Sequence, residues 1–160
     1  MEVILPCAGF PFRRNHSVAL QLRMMSAAWS PAPLILVADD NRDTREMYTM
    51  YLGMVGYAVL AAVDGHDAIL QARRQRPDLI LMDLQMPRMD GWAAIRQLQS
   101  DRKTATIPVI ILTGHELRDY LKHSAIAEGA CSFLRKPVLP ERLEQEIAQH
   151  VAARSRRRAM

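Results

Sequence analysis

The chain has little with which to staple itself: only two cysteines, Cys7 and Cys131, occur in 160 residues. They stand far apart and outside any CxxC or Cys/His ligand spacing, which excludes a disulfide framework and a structural zinc site. A reducing cytoplasm is the compartment this usage suggests. Long apolar runs are also missing. Leu34–Ala38 and Ile107–Leu112 are strand-sized, far short of the roughly 20 residues of a membrane-spanning helix. The stretch Val3–Phe12 lacks the marks of a secretory leader, because Glu2 replaces a basic start, Pro6 and Pro11 interrupt it, and no small-residue cleavage site follows.

A one-signed charged face is absent too. The net charge is +4, yet residues 31–150 hold 14 Lys/Arg against 16 Asp/Glu, and the excess lies in the two ends. The central part is mildly acidic, which ranks nucleic acid second as a partner despite a high pI. The expected organisation is an N-terminal extension over 1–32, loosely packed or disordered, a folded domain over 33–152 and a basic tail over 153–160. Met24 and Met25 are alternative starts.

From residue 33 onward, short β-branched or aliphatic runs alternate with segments of helical period, the signature of βα units around a parallel sheet. Strands are expected at Leu34–Ala38, Tyr57–Ala62, Leu79–Met82, Pro108–Leu112 and Ser132–Arg135. Five helices alternate with them. Met47, Met50, Tyr51 and Met54 recur at helical spacing, as do Leu117, Leu121 and Ala125, then Leu143, Ile147 and Val151, all taken as core stripes. Asp67–Arg76 and Gly91–Ser100 are the other two helices, the second with Trp92 and Ile95 inward. His16, His66, His115, His123 and His150 have no ligand spacing and are assigned to the surface.

Five consecutive units predict a doubly wound, flavodoxin-like sheet of order 2-1-3-4-5, with its ligand crevice at the carboxyl ends of the first and third strands. Asp39 and Asp40 follow the first strand, Asp83 the third, Thr113 the fourth and Lys136 the fifth. Singly, each has an ordinary reading as cap, strand end or surface charge. Together they form one rim. Three gathered carboxylates repel one another unless a cation joins them, and hard oxygen ligands in so small a number select magnesium over calcium. A carboxylate flanked by a metal, a lysine and a threonine hydroxyl has the equipment to accept a phosphoryl group.

At Val37-Ala38-Asp39-Asp40-Asn41, Leu81-Met82-Asp83-Leu84-Gln85-Met86-Pro87-Arg88-Met89-Asp90-Gly91, Ile111-Leu112-Thr113-Gly114 and Leu134-Arg135-Lys136-Pro137, the sequence resembles the response-regulator receiver family of bacterial two-component systems. The resemblance covers roughly 33–152. It implies Asp39 and Asp40 as the acidic metal pair, Asp83 as phosphoacceptor and metal ligand, and a metal contact from the Gln85 backbone carbonyl. Thr113 would be the switch hydroxyl, Phe133 the switch aromatic and Lys136 the phosphate-pairing lysine, joined to Pro137 by a cis peptide. The implied role is a phosphorelay acceptor rather than an enzyme, taking its phosphoryl group from a sensor histidine kinase or phosphotransfer protein. Signal would leave through a protein target docking on the face 116–127, 132–135 and 140–152, with a phosphorylation-dependent dimer as an alternative and no separate output domain expected. Departures are Cys131 and Ser132 in place of an acidic pair, and Val138 in place of phenylalanine. Gln85 and His115 occupy positions that tune the acyl phosphate's lifetime.

Two other readings compete with this one. A haloacid-dehalogenase-like phosphatase also uses a strand-end aspartate, but it needs an acid two residues later, and Gln85 cannot donate that proton. A scaffold without chemistry would not require Asp39, Asp40, Asp83, Thr113 and Lys136 together.

Overall fold

The computed structural model of the chain describes residues 31–114 and 129–158. Five strands alternate with the helices between them: β1 Leu34–Ala38, α1 Arg42–Met54, β2 Ala58–Ala62, α2 Gly65–Gln75, β3 Leu79–Asp83, α3 Gly91–Ser100, β4 Val109–Thr113, β5 Ala130–Arg135 and α4 Pro140–Arg158. All pairings are parallel and the order is β2-β1-β3-β4-β5, as expected. Four helices are described, and the expected helix with Leu117, Leu121 and Ala125 lies outside the described residues.

Every residue of β3 and β4 is buried, because a central parallel strand is covered by helices on both sides and must be apolar on both. Alternate residues divide between two cores. Leu36, Ile80, Met82 and Ile111 pack with Ile69, Ile95 and Leu98 of α2 and α3. Ile35, Val37, Leu79, Leu81 and Leu112 pack with Tyr48 and Leu52 of α1 and with Leu143, Ile147 and Val151 of α4. The α4 stripe and the inward Ile95 stand as expected, with Trp92 partly buried beside it.

The methionine stripe of α1 is a correction. Met47, Met50 and Met54 are exposed, at 44%, 68% and 80%, and the buried residues are Tyr48 and Leu52. This helix carries two apolar stripes, and the sheet takes the one with the ring and the branched side chain. The second helix begins earlier than its apolar period, at Gly65, because the Asp64 carboxylate accepts the Asp67 amide and caps it. α4 in turn runs on through Arg158.

Candidate functional site

The sheet's twofold winding leaves a crevice where β1 and β3 diverge, and the loops leaving their carboxyl ends carry the acidic residues. Asp39 follows β1 and is fully buried, Asp40 beside it is exposed, and Asp83 is the last residue of β3. Carboxylate oxygens of these three lie within 4.8 Å of one another. Thr113 ends β4, 3% exposed, and its carbonyl accepts the Lys136 amide at 2.8 Å. That bond ties the Lys136 backbone to the rim. From there the ammonium reaches across to Asp39 Oδ2 and Asp83 Oδ2, both at 2.7 Å. The Lys136–Pro137 peptide is cis.

Burial pushes the Asp39 carboxyl above its ordinary pKa, against the opposing pull of the Lys136 ammonium. Desolvation pulls Lys136 down, but the two carboxylates outweigh it and raise its pKa. One cation thus serves two carboxylates, with Asp40 a third close by. The donor set is all hard oxygen, and it fits a magnesium ion whose remaining positions are filled by water or by a phosphoryl oxygen.

The loops around these groups are held by contacts that sequence reasoning did not single out. Arg45, in the first turns of α1, donates to the carbonyl oxygens of Asp39 at 2.7 Å and Asp40 at 3.3 Å. Asn41 caps α1, and its own amide donates to Asp39 Oδ1 at 2.9 Å. The Gln85 amide donates to Asp83 Oδ1 at 3.2 Å, so both oxygens of this carboxylate are engaged. A Cβ at Gly91 would run into the Asp83 carbonyl, which explains why a glycine opens α3 here. The arginine contacts depend on how the helices dock.

Of the remaining expected residues, Phe133 is half-buried in β5 against the core shared by α2 and α3. His66 is exposed, whereas His150 is partly covered and lies 3.6 Å from Glu146. His16, His115 and His123 lie outside the described residues. Among the described residues no helix is long and apolar enough to cross a membrane.

Comparison with known proteins agrees with this geometry. The family profile of the response regulator receiver domain matches residues 35–148. Protein PilH of Pseudomonas aeruginosa is 39% identical over 113 residues, covering 71% of this chain and 93% of PilH. The DNA-binding dual master transcriptional regulator RpaA of Synechocystis is 38% identical over 106 residues, but the match spans only 43% of that longer protein. Among solved structures, the Vibrio cholerae chemotaxis protein CheY4 superimposes with a TM-score of 0.70 at 30% identity, covering 74% of this chain and 98% of CheY4. The receiver domain of the sensor histidine kinase PA1611 from Pseudomonas aeruginosa, with a magnesium ion coordinated in its active-site cleft, superimposes with a TM-score of 0.69 at 29% identity, covering 76% and 98%. With its doubly wound fold and the Asp39, Asp83 and Lys136 cluster at the strand ends, the chain belongs to the response regulator receiver domain family.

Proposed function

We propose that the chain accepts a phosphoryl group on Asp83 from a phosphohistidine of a sensor kinase or phosphotransfer protein in the cytoplasm. The observation that carries this reading is Lys136 bridging Asp39 and Asp83 at 2.7 Å each, with a third carboxylate within 4.8 Å. Three carboxylates meet there, and Lys136 is the cation that bridges two of them directly. Asp39, Asp40 and Asp83, together with the Gln85 carbonyl, are the residues that would hold magnesium. When bound, that ion would supply charge neutralisation for the phosphoryl oxygens, and the PA1611 receiver domain holds a magnesium ion in its active-site cleft.

The chain's own groups do the rest. A carboxylate oxygen of Asp83 forms the new O–P bond as the donor's N–P bond breaks, and the imidazole leaves with the electron pair and takes up a proton. The Gln85 amide and the Lys136 ammonium fix the Asp83 carboxylate before the attack, so little reorganisation is needed. After transfer, Lys136 pairs with a phosphoryl oxygen and Thr113 donates its hydroxyl to another. Withdrawal of Thr113 toward the phosphate makes room for Phe133, half-buried two strand residues before Arg135, to turn inward.

That motion would change the face formed by β5 and α4, and a protein target would bind one of its two states better. The remaining part of the proposed face, 116–127, lies outside the described residues. A dimer formed through the same face is the alternative outcome of the switch. The direct test is intact-mass analysis after incubation with acetyl phosphate and magnesium chloride. The wild type gains one phosphoryl group and Asp83→Asn gains none. Equal labelling of the two would move the acceptor elsewhere.

A further inference from the structure

The loop from β3 to α3 contains a strained residue that the phosphoryl chemistry does not obviously need. Arg88 has φ 66, and the Met89 amide donates to the Pro87 carbonyl at 2.7 Å across it. An i to i+2 hydrogen bond around a positive-φ residue is a γ-turn of the rare, strained kind, and a non-glycine residue persists there only when its surroundings hold it.

Two contacts hold it. The Arg88 guanidinium is ion-paired with Asp64, whose side chain is 5% exposed, and the Gly65 amide donates to the Met89 carbonyl at 3.3 Å. The approach is close: a Cβ on Gly65 would come within 2.7 Å of Met89 Cγ and 2.8 Å of its carbonyl oxygen. Asp64 is thereby used twice. Its Oδ1 accepts the Asp67 amide to cap α2, and its Oδ2 meets Arg88. The β3–α3 loop is therefore clasped to the β2–α2 turn from outside, three residues after Gln85, whose amide orients the Asp83 carboxylate.

We propose that Arg88 is a positioning residue: paired with buried Asp64, it keeps the Leu84–Asp90 loop in the conformation that presents Gln85 to the Asp83 carboxylate. This rests on Asp83 being the magnesium-assisted phosphoacceptor. The clasp fixes the loop before ligands arrive, so part of the site's order is already present without magnesium or phosphate.

Three variants separate the roles. Arg88→Gly removes the ion pair and the strain together, Asp64→Asn keeps a capping oxygen while removing the charge, and the double variant measures whether the two act as one unit. Three readouts apply: amide hydrogen exchange of Gln85–Met89 without magnesium, magnesium affinity from Trp92 fluorescence, and the acetyl phosphate labelling rate. Because the pair is exposed on the arginine side, each single variant should exchange these amides faster, and weaken magnesium binding and slow labelling by about two- to fivefold. The double variant should be no worse than either. Melting temperature should hold or rise in Arg88→Gly, since the strained φ is relieved. Unchanged exchange and magnesium affinity in Arg88→Gly, or strictly additive losses in the double variant, would overturn the clasp while normal wild-type labelling leaves the phosphoacceptor reading standing. A wild type that neither binds magnesium nor labels at Asp83 removes both.

Discussion

The two ends of the sheet treat charge in opposite ways. At the carboxyl ends, one lysine faces Asp39 and Asp83 with Asp40 close by, and the buried Asp39 carboxyl is pushed up in pKa despite that lysine. At the amino ends, polar groups tie the chain together. Asp78 Oδ2 accepts the Leu34 amide at 3.0 Å, and Arg154 reaches from α4 to the Thr106 carbonyl at 2.8 Å and lies 3.8 Å from Asp78. Cys131 sits at the irregularity in the β4–β5 register and donates its thiol to the Val109 carbonyl at 3.2 Å. A hollow of about 640 Å³ at this lower end is lined by Ile107, Cys131, His150 and Arg154. This hollow lies away from the acidic cluster, and the gathered carboxylates point to the opposite rim, where phosphoryl chemistry is proposed.

The comparison is sharpened most by removing the cation that bridges Asp39 and Asp83. In Lys136→Ala, the buried Asp39 carboxylate loses its direct ion-pair partner, and labelling by acetyl phosphate should slow by about 10²–10³-fold. Unfolding in urea with EDTA should show a loss of up to about 3 kcal/mol, largely restored by magnesium. A variant as stable and as readily labelled as the wild type would mean that the upper rim is as well balanced as the lower one.

A smaller effect is expected from pH. The folded Asp39 carboxyl has a pKa raised above the ordinary value of 3.8, chiefly by burial, so the native state takes up its proton before the unfolded chain does. Without magnesium, its ionisation costs stability: the contribution is most favourable below the ordinary value and is lost as pH rises through the raised one. Asp64, lowered first by the Asp67 amide with help from Arg88, acts in the opposite sense. Subtracting the urea-unfolding profile of Asp39→Asn from that of the wild type isolates the first effect. A flat difference from pH 3.8 upward would show that Asp39 is not strained.

The sheet was legible because β1, β3 and β4 are near-continuous apolar runs, and the site because each of these is followed by or ends on a polar residue that burial alone does not explain. Asp83 follows Leu79–Met82, and Thr113 follows Val109–Leu112. What stayed hidden depends on contacts between segments. Met47, Met50 and Met54 keep helical spacing as well as Tyr48 and Leu52 do, and only docking on Ile35 and Val37 decides which stripe is buried. The Arg88–Asp64 pair joins residues 24 positions apart, and no local pattern announces it. Arg154 reads as part of a basic run until α4 brings it to Thr106.

The last test asks whether the lower rim is purely structural. Arg154 donates Nη1 to the Thr106 carbonyl and stands near Asp78, which itself holds the amide of Leu34 at the start of β1. These two contacts link α4, the segment before β4 and the segment before β3, at the opposite end of the sheet from Asp83. Arg154→Ala should therefore lower stability by about 0.5–1 kcal/mol, the net worth of a partly solvated charged hydrogen bond. For a domain of this size that is a fall of a few degrees in Tm. Magnesium affinity and the labelling rate should be unchanged within error, because no described contact of Arg154 reaches the acidic cluster. If Arg154→Ala instead altered magnesium binding while leaving Tm in place, the two ends of the sheet would be coupled, and the division between a structural rim and a chemical one would fail.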